Sequence, residues 1–467
     1  MVFPTVEFAV FFPPVLFLSW FLMNRPWGWK WVWKPFILAA SYLFYAAANP
    51  KFCLLIGGVT LGNQLFATLI TRTDAERRKS QLVAAAVVLD LAVLGLFKYY
   101  GFFAEDIDSL LEKAGLGLGL PLMTIALPIG LSFFTFQAIS YVVDVRRGLC
   151  DRGSTMDVAL YLSFFPHLVA GPIVRAREFL PQLASPRDPK DVAVGTGVFL
   201  ICLGLVKKVI VADLLARELV DPVFAVPEAY GTADTMLAVY GYAAQIYCDF
   251  SGYTDIAIGL ALLMGFIFPR NFDRPYSSTS FREFWRRWHM TLSRFLRDFI
   301  YIPLGGNQKG RWKTYRNLMA TMVLGGLWHG AAWGFVLWGF LHGAALAIER
   351  LLDGRIKAPR WLAWAFVFHA VALMWIPFRA PDFDTAGAVL EGIFRGGEAT
   401  LFSPVVVIAI IAAIGFQLVP ERPIAALRHR FEALNPVPLA AALTVTIIVV
   451  GSTIPGGAVP PFIYFAF

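Results

Sequence analysis

The sequence predicts an all-α protein that crosses a membrane many times, and three observations support this fold class. Apolar residues make up 58% of the 467-residue chain and charged residues only 15%, against about 25% charged residues in a typical soluble domain. Many apolar stretches approach the roughly 20 residues that a helix needs to cross a bilayer. Positive charge also alternates between successive loops, a pattern typical of polytopic membrane proteins.

The apolar stretches predict the transmembrane helices. The run at 318–348 fits either one tilted helix or two shorter ones. No repeat of fixed period and no long polar linker divides the chain, so we predict a single domain over 1–467. The stretches lie at 6–23, 35–49, 52–71, 81–97, 121–143, 192–212, 232–248, 254–268, 318–348, 361–378, 401–419 and 437–454.

The basic residues predict the orientation of the chain. Lys and Arg are retained in the loops that stay in the cytoplasm, and here they follow the first, third and fifth apolar stretches. We therefore expect a periplasmic amino terminus. The same distribution explains the net charge of +8 without a nucleic-acid partner. The basic residues in question are Arg25, Lys30 and Lys34, then Arg72, Arg77, Arg78 and Lys79, then Arg146 and Arg147.

Two segments depart from a simple spanning pattern. The stretch "YLSFFPHLVAGPIVRAREF" at 161–179 is apolar but is interrupted by Pro166, Gly171 and Pro172, which favours a re-entrant segment. The stretch at 281–301 carries aromatic residues at helical spacing, which predicts one helix along the membrane interface. The opposite, polar face of that helix would carry Arg282, Arg286, His289, Ser293 and Arg297.

His329 is the first candidate catalytic residue. It lies in "LGGLWHGAAWGFVLWG" at 324–339, within a run that has no acidic residue, lysine or arginine. Ionisable residues at such positions usually face a bundle interior or a cavity, where a neutral imidazole can accept a proton from a hydroxyl. The alternative is a core histidine among glycines that allow close helix packing. His342 lies thirteen residues further on, nearly opposite His329 on a helical wheel, which favours a structural role for it.

His289 and the neighbouring arginines form the second candidate group. His289 is suited to position a substrate or to support the base. Arg282, Arg286 and Arg287 are candidate contacts for the phosphates of an acyl carrier, because charge-assisted hydrogen bonds hold phosphate well. The alternative is that these residues anchor the helix to lipid headgroups.

The stretch "QIYCDFSGYTDIAIG" at 245–259 supplies a third group, with Gln245, Asp249 and Asp255. Carboxylates there are suited to orient a histidine, and capping of a helix end is the equally plain alternative. Trp328 is a supporting candidate beside His329. We predict no metal site, since no cysteine pair has ligand spacing, and the marks of nucleotide hydrolysis, serine hydrolysis and zinc proteolysis are missing from the sequence.

Several stretches together resemble the membrane-bound O-acyltransferase (MBOAT) family, and more closely its bacterial alginate O-acetyltransferase branch. The resemblance is strongest over 245–343, the predicted catalytic core region. The matching stretches are "PIGLSFFTFQAISYVVDV" (128–145), "SFFPHLVAGPIVR" (163–175), "DFSGYTDIAIGLALLMGF" (249–266), "NFDRPYSSTSFREFWRRWHMTLSRFLRDFIYIPLGGNQKG" (271–310), "GGLWHGAAWGFVLWGFLHG" (325–343) and the ending "PFIYFAF".

The resemblance implies a fold, a reaction and partners. The fold would be a ring of about 10–12 tilted transmembrane helices, with re-entrant and interfacial helices, around a central pore. The family's catalytic histidine falls on His329 and its second functional position on His289. The donor would be cytoplasmic acetyl-CoA, with no bound cofactor. The acetyl group would cross the bacterial inner membrane toward an exopolysaccharide hydroxyl or a periplasmic acetyltransferase or SGNH-type partner.

Other functions stay open at this point. A sibling branch exports D-alanine for teichoic acids, so D-alanyl or other acyl transfer to a different envelope polymer is one alternative. A transporter is another, because discontinuous helices also build transporter sites. A third is a scaffold that only anchors an acetylation complex.

Overall fold

The computed structural model describes residues 3–25, 29–113, 126–169, 171–352, 355, 358–454 and 462–463. Over these ranges the chain forms helices joined by turns and short loops, without a β-strand. The all-α fold class is therefore confirmed. The carboxyl-terminal ending at 461–467 lies outside the described residues, apart from Phe462 and Ile463.

Sixteen longer helices make up most of the described chain. They are Val6–Met23, Lys34–Ala46, Lys51–Arg72, Glu76–Lys98, Tyr100–Lys113, Leu131–Arg146, Thr155–Ser163, Val194–Leu205, Thr232–Leu263, Arg311–His329, Trp333–Leu352, Arg360–Met374, Phe383–Gly392, Pro404–Gly415, Glu421–Glu432 and Pro436–Ser452. Shorter helices that matter for the site are Phe281–Arg287 and Met290–Leu296, and a π-helical turn over Arg297–Tyr301 follows them.

Six helices in the described part of the chain are long and apolar enough to cross a membrane, or seven if the bent pair Pro404–Leu418 and Glu421–Glu432 counts as one span. The sequence predicted about ten to twelve. The difference arises because several apolar stretches fold as shorter pieces. The stretch at 35–49, for example, forms a 13-residue helix, and the stretch at 192–212 changes from an α-helix to a π-helix after Leu205.

The chain divides into two compact units. The first contains Met1–Gly197 and Ala257–Pro269, and the second contains Val198–Ile256 and Arg270–Phe467. The second unit contains both candidate catalytic histidines. Whether the chain functions as the single domain that the sequence predicted stays a prediction.

In the first unit, the segment predicted to be broken is broken. Helix Thr155–Ser163 ends before Phe164, and the short helices Phe165–Leu168 and Ala176–Phe179 follow it. Pro166 lies in the first turn of its short helix, where the lack of an N–H group costs nothing. An uninterrupted span is thus excluded, as predicted, and a re-entrant path through the membrane stays a prediction.

His167 lies in this broken segment as a core residue. It is fully buried, and its Nε2 atom is 2.8 Å from the carbonyl oxygen of Tyr161. Since a carbonyl can only accept, Nε2–H is the donor. The imidazole packs against the rings of Phe179 and Phe268, at centroid distances of 5.5 and 5.3 Å. This hydrogen bond and these ring contacts explain His167 as part of the packed core.

In the second unit, the apolar run at 318–348 forms two helices, Arg311–His329 and Trp333–Leu352. Two glycines allow these helices to pack backbone to backbone. A Cβ atom on Gly326 would overlap the carbonyl oxygen of Phe335, and one on Gly339 would overlap the carbonyl oxygen of Met322. Gly326, one of the glycines near His329, therefore serves close helix packing, which was one of the two interpretations of the sequence.

This packing predicts a position-specific cost for Gly326→Ala. The added methyl group would force the two helices apart, and such overpacking costs about 1–3 kcal/mol. We expect a lower thermal unfolding midpoint for the purified protein in detergent. Gly387→Ala is the matched control, because Gly387 lies in a helix with nothing within 4 Å of its added Cβ. Equal midpoints for the two variants would contradict the packing argument.

Candidate active site

His289 lies at a break between two helices rather than on the face of one. Helix Phe281–Arg287 ends at Trp288, and a new helix begins at Met290. His289 adopts φ 41° and ψ 54°, a left-handed conformation that costs a non-glycine residue about 1–3 kcal/mol. The prediction of one continuous helix over 281–301 is therefore wrong, and so is the placement of His289 on its basic face, because His289 is fully buried.

Asn271 holds this break in place. Its backbone oxygen accepts a hydrogen bond from the Met290 N–H at 2.8 Å. Its side-chain Oδ1 accepts one from the Thr291 N–H at 3.2 Å and one from the Thr291 hydroxyl at 2.8 Å. The first N–H groups of a helix have no partner within the helix. Asn271, some twenty residues upstream, therefore serves as their cap.

The same atom fixes the tautomer of His289. Its Nδ1 lies 3.2 Å from Asn271 Oδ1. That Asn271 atom must be the oxygen, because the Thr291 backbone N–H can only donate to it. Nδ1 of His289 therefore carries the proton and donates it to Asn271. Nε2 is left with its lone pair, and it has no hydrogen-bond partner among the described residues.

The surroundings keep His289 uncharged. Its ring lies edge-on to Phe250 at a centroid distance of 4.7 Å, and Phe272 is 6.3 Å away. Burial in these apolar surroundings lowers the pKa of His289, because desolvation disfavours the charged imidazolium. At neutral pH the side chain is thus a neutral imidazole that can accept a hydrogen bond at Nε2.

His329 is the last residue of helix Arg311–His329, directly before Gly330. Only 3% of its surface is exposed. The rings of Trp338 and Phe378 pack against it edge-on, at centroid distances of 5.1 and 5.2 Å. His329 therefore lies where the helix ends and the next loop begins.

Trp328 connects the two candidate histidines. The centroid of its indole is 5.0 Å from that of His329 and 6.0 Å from that of His289. The two residues are 40 positions apart in the sequence, and the fold brings both against one buried side chain. Trp328, which the sequence predicted to be a supporting residue, therefore packs against both histidines.

His342 is the structural histidine of this region, although the helical wheel that suggested this does not apply, because His329 and His342 lie in separate helices. It is fully buried, and its Nδ1 accepts a hydrogen bond from the indole N–H of Trp285 at 3.3 Å. The basic nitrogen of this neutral ring is thus already in use. Trp338 and Phe284 complete its surroundings, at 4.8 and 6.0 Å between centroids.

Gln245 and Asp249 line a cavity of about 600 Å³ in the second unit. The two oxygens of Asp249 bind Lys208 Nζ, at 2.5 Å, and the Ile463 N–H, at 2.9 Å. Lys208 also pairs with Asp213 at 2.7 Å. Asp249 therefore belongs to a buried ion cluster at the cavity wall. Asp255 belongs to a separate ion pair, with Lys207 at 2.7 Å.

The three arginines predicted to bind a phosphate differ in how closely a carboxylate already pairs with them. Arg287 pairs with Glu283 at 2.8 Å. Arg282 lies 3.6 Å from Glu349. Arg286 is exposed. Of the three, Arg286 is the one whose charge is most accessible to an anionic partner.

Sequence reasoning missed two residues of this region. Asn271 carries no charge and follows no periodic pattern, so nothing in the sequence marks it as the partner of His289. Lys208 did carry a signal, because a lysine inside an apolar stretch is a functional candidate by default.

The chain is similar in sequence to proteins of one family. The sequence model of the membrane-bound O-acyltransferase family matches residues 37–376. "Probable alginate O-acetylase AlgI" of Azotobacter vinelandii is 43% identical over 78% of this chain and 73% of its own length. The protein of the same name from Pseudomonas aeruginosa is 42% identical over 85% and 75%. The peptidoglycan O-acetyltransferase of Helicobacter pylori is 33% identical over 84% and 80%.

The family match and these relatives identify the multi-pass helical chain as a membrane O-acyltransferase. The chain belongs to the membrane-bound O-acyltransferase family. The catalytic, supporting and donor-binding roles predicted for individual residues stay predictions.

We expect Asn271 to be required for turnover, because it sets the position and tautomer of His289. Asn271→Leu should lower kcat for acyl transfer about 10- to 100-fold, by analogy with the loss of the hydrogen-bond partners that orient metal-bound histidines. Turnover of a labelled thioester donor measures this. Asn307→Leu, at an exposed asparagine, is the matched control.

Asn271→Asp separates positioning from simple misfolding. A carboxylate still accepts from Thr291 and from His289 Nδ1–H, so the break should fold. Its negative charge would favour the protonated imidazole and raise the pKa of His289 by about 1–3 pH units. The acidic limb of the pH–rate profile should move to higher pH. An unshifted profile in a folded, active variant would show that His289 does not take part in turnover.

Proposed function

We propose that the protein transfers an acetyl group from cytoplasmic acetyl-CoA across the bacterial inner membrane to a hydroxyl on the far side. The acceptor is a hydroxyl of an exopolysaccharide or of a periplasmic partner protein. The observation that carries the proposal is the pair of buried imidazoles that share Trp328. Identity of about 40% to proteins named alginate O-acetylases supports acetyl as the acyl group and alginate as the polymer.

The reaction needs one proton acceptor and no redox partner. The acceptor oxygen attacks the thioester carbonyl, a C–O bond forms and the C–S bond breaks. The hydroxyl proton passes to the base and then to the departing thiolate, which leaves as coenzyme A. We assign His329 as this general base. His329 is the last residue of its helix and is followed by a loop, which favours access to a substrate.

The tautomer of His289 favours an orienting role. With its proton on Nδ1 and bound to Asn271, the ring offers an acceptor at Nε2 and no donor. A neutral His289 is therefore suited to accept a hydrogen bond from an amide N–H of the donor's pantetheine arm. Stabilisation of an oxyanion would require a donor, which this tautomer does not offer at Nε2.

The remaining site residues fill supporting roles in the proposal. Arg286 is the best placed of the three arginines to meet the phosphates of coenzyme A, since Arg282 and Arg287 already face carboxylates. Gln245 and Asp249 contribute to the cavity wall, and Asp255 to the position of Lys207. A periplasmic acetyltransferase or SGNH-type protein would receive the acetyl group where the polymer is not acetylated directly.

The proposed base predicts the effect of His329→Ala. Loss of general-base catalysis lowers a rate by about 10²- to 10⁴-fold, while membrane insertion should be unchanged. Radiolabelled acetyl-CoA supplied to the cytoplasmic face of membrane vesicles gives the release of thiol and the transfer of label in one assay. Alginate lyase digestion of the product shows whether the label is on alginate.

His369→Ala is the matched control, because His369 is exposed and donates to the Ala365 carbonyl in its own helix at 2.7 Å. It should retain wild-type transfer. Normal acetylation by the His329→Ala protein would remove His329 as the base. Absence of thiol release from the wild-type protein would remove acetyl-CoA as the donor.

The basic loops predict a periplasmic amino terminus. Alkaline phosphatase, which is active only when exported, should be active when fused directly before Val6. The same reporter fused after Arg147, in a loop assigned to the cytoplasm, should be inactive. The reverse pattern would invert the orientation and would place the basic loops outside, against the usual distribution of Lys and Arg.

A further inference from the structure

Four cations and one tryptophan are exposed together where helix Arg311–His329 begins. Trp312 lies among the cations in the sequence, with 84% of its surface exposed. None of these five side chains has a role in the proposed acyl transfer. We call them the basic patch, and its members are Lys309 in the preceding loop and Arg311, Trp312, Lys313 and Arg316 in the first two turns of the helix.

No carboxylate neutralises the basic patch. The sequence has no acidic residue between Asp298 and Glu349, and none of the four cations forms an ion pair within the ranges that the structure describes. The guanidinium of Arg316 donates to the side-chain oxygen of Asn317 at 3.1 and 3.3 Å, but an amide oxygen carries no net charge. Four like charges thus lie within residues 309–316, and an anionic partner would relieve their mutual repulsion.

Asn317 fixes the arrangement of the basic patch. Its side chain is fully buried, and its Nδ2 donates to the carbonyl oxygens of Leu304 at 3.2 Å and Gly306 at 3.0 Å. These hydrogen bonds fasten the loop before the helix to the second turn of the helix. The cations are therefore carried by a structured segment, which lowers the entropy cost of binding a partner.

The basic patch directly precedes an apolar stretch. From Leu318 to Ile348 the sequence has no acidic residue, lysine or arginine, and Arg316 comes two residues before that stretch. The patch thus lies at the boundary between apolar and polar sequence, which is the level of the phospholipid headgroups and the level at which tryptophan is enriched. Because Lys and Arg are retained on the cytoplasmic side, we assign the patch to the cytoplasmic leaflet.

Exposed apolar side chains favour a lipid over a soluble anion as the partner. Besides Trp312, the loop residues Ile302 and Leu304 are 55% and 38% exposed. A phospholipid supplies a phosphate for the cations and hydrocarbon for these side chains, whereas a soluble anion such as coenzyme A supplies only the phosphate. Segments that combine Lys and Arg with Trp and Leu bind membrane surfaces in this way.

We infer that the basic patch binds the headgroups of anionic phospholipids in the cytoplasmic leaflet. The ammonium and guanidinium groups hold the lipid phosphate by charge-assisted hydrogen bonds, and the indole of Trp312 packs against the glycerol and the upper part of the acyl chains. Such binding anchors the first turns of the helix that ends at His329. It goes beyond the proposed acyl transfer, because it does not depend on the acyl group or on the acceptor.

Photolabelling tests this inference without catalysis. The full chain in lipid nanodiscs is titrated with phosphatidylglycerol that carries a photoreactive group beside its phosphate, and peptide mapping locates the label. Phosphatidylcholine with the same acyl chains and the same photoreactive group is the zwitterionic comparison. We expect phosphatidylglycerol to reach half-maximal labelling of the basic patch at a concentration at least about tenfold lower than phosphatidylcholine does.

Two variants separate the contributions of the charge and of the indole. Lys309→Gln combined with Lys313→Gln should raise the phosphatidylglycerol concentration for half-maximal labelling about 10- to 30-fold, the effect of two cations near an anionic membrane surface. Trp312→Gln should weaken labelling by both lipids, and the preference for phosphatidylglycerol should remain because the charge is unchanged.

Arg428→Gln combined with Arg430→Gln is the matched control. It removes the same charge from two exposed residues of helix Glu421–Glu432, which are not part of the basic patch. Labelling of the patch should therefore be unchanged in this variant.

Three results would overturn lipid binding at the basic patch. They are equal labelling by the two lipids, a label found only in other segments, and labelling that does not respond to Lys309→Gln with Lys313→Gln. Added coenzyme A provides a further test, since it should not displace the label. Displacement by coenzyme A would identify the patch as a site for the phosphates of the donor instead.

Discussion

The hydrogen bonds made by Asn271 are the constraint on which the candidate site depends. One side-chain oxygen accepts from Thr291 and from His289, and the backbone oxygen of the same residue accepts from Met290. The left-handed conformation of His289 is unfavourable in isolation. It persists because the cap fixes the residues directly after it. The unfavourable backbone conformation of His289 is thus what directs its imidazole into the core.

The second constraint is the buried charge of Lys208 between Asp213 and Asp249. Taking an ion out of water costs several kcal/mol even after relaxation, and the cost is offset here by short contacts to two carboxylates. Removing any one of these three side chains would leave buried charge on the other two uncompensated. An ion cluster of this kind is a weak source of stability. The cluster lies at the wall of the cavity of about 600 Å³ in the second unit, and this position explains its presence better than stability does.

The sequence predicted the class of fold, but not the backbone conformation that places His289 in the core. Composition was enough for a polytopic helical protein, because a membrane leaves the backbone few alternatives to helices. The prediction for 281–301 failed for a physical reason. The aromatic stripe continues through Trp288 and Leu292, so helical periodicity cannot reveal the break. The break is set by Asn271, which lies outside the periodic segment. Short helices such as Lys34–Ala46 likewise depend on tertiary packing that hydropathy does not report.

The three buried histidines of the second unit show what separates a candidate catalytic residue from a structural one. Burial does not separate them, because His289, His329 and His342 are all nearly inaccessible. The hydrogen bonds of the rings do separate two of them. In His342 the lone pair of Nδ1 is consumed by Trp285, so the ring can no longer accept a proton without losing that bond. In His289 the bond to Asn271 consumes the proton instead and leaves the lone pair. A neutral imidazole that keeps its basic nitrogen available, at the cost of strain in its own backbone, is what an orienting role in acyl transfer requires. A helical wheel cannot compare His342 with His329, because the two residues lie in different helices; the hydrogen-bond partners of the ring nitrogens are what distinguish His342 from His289 chemically.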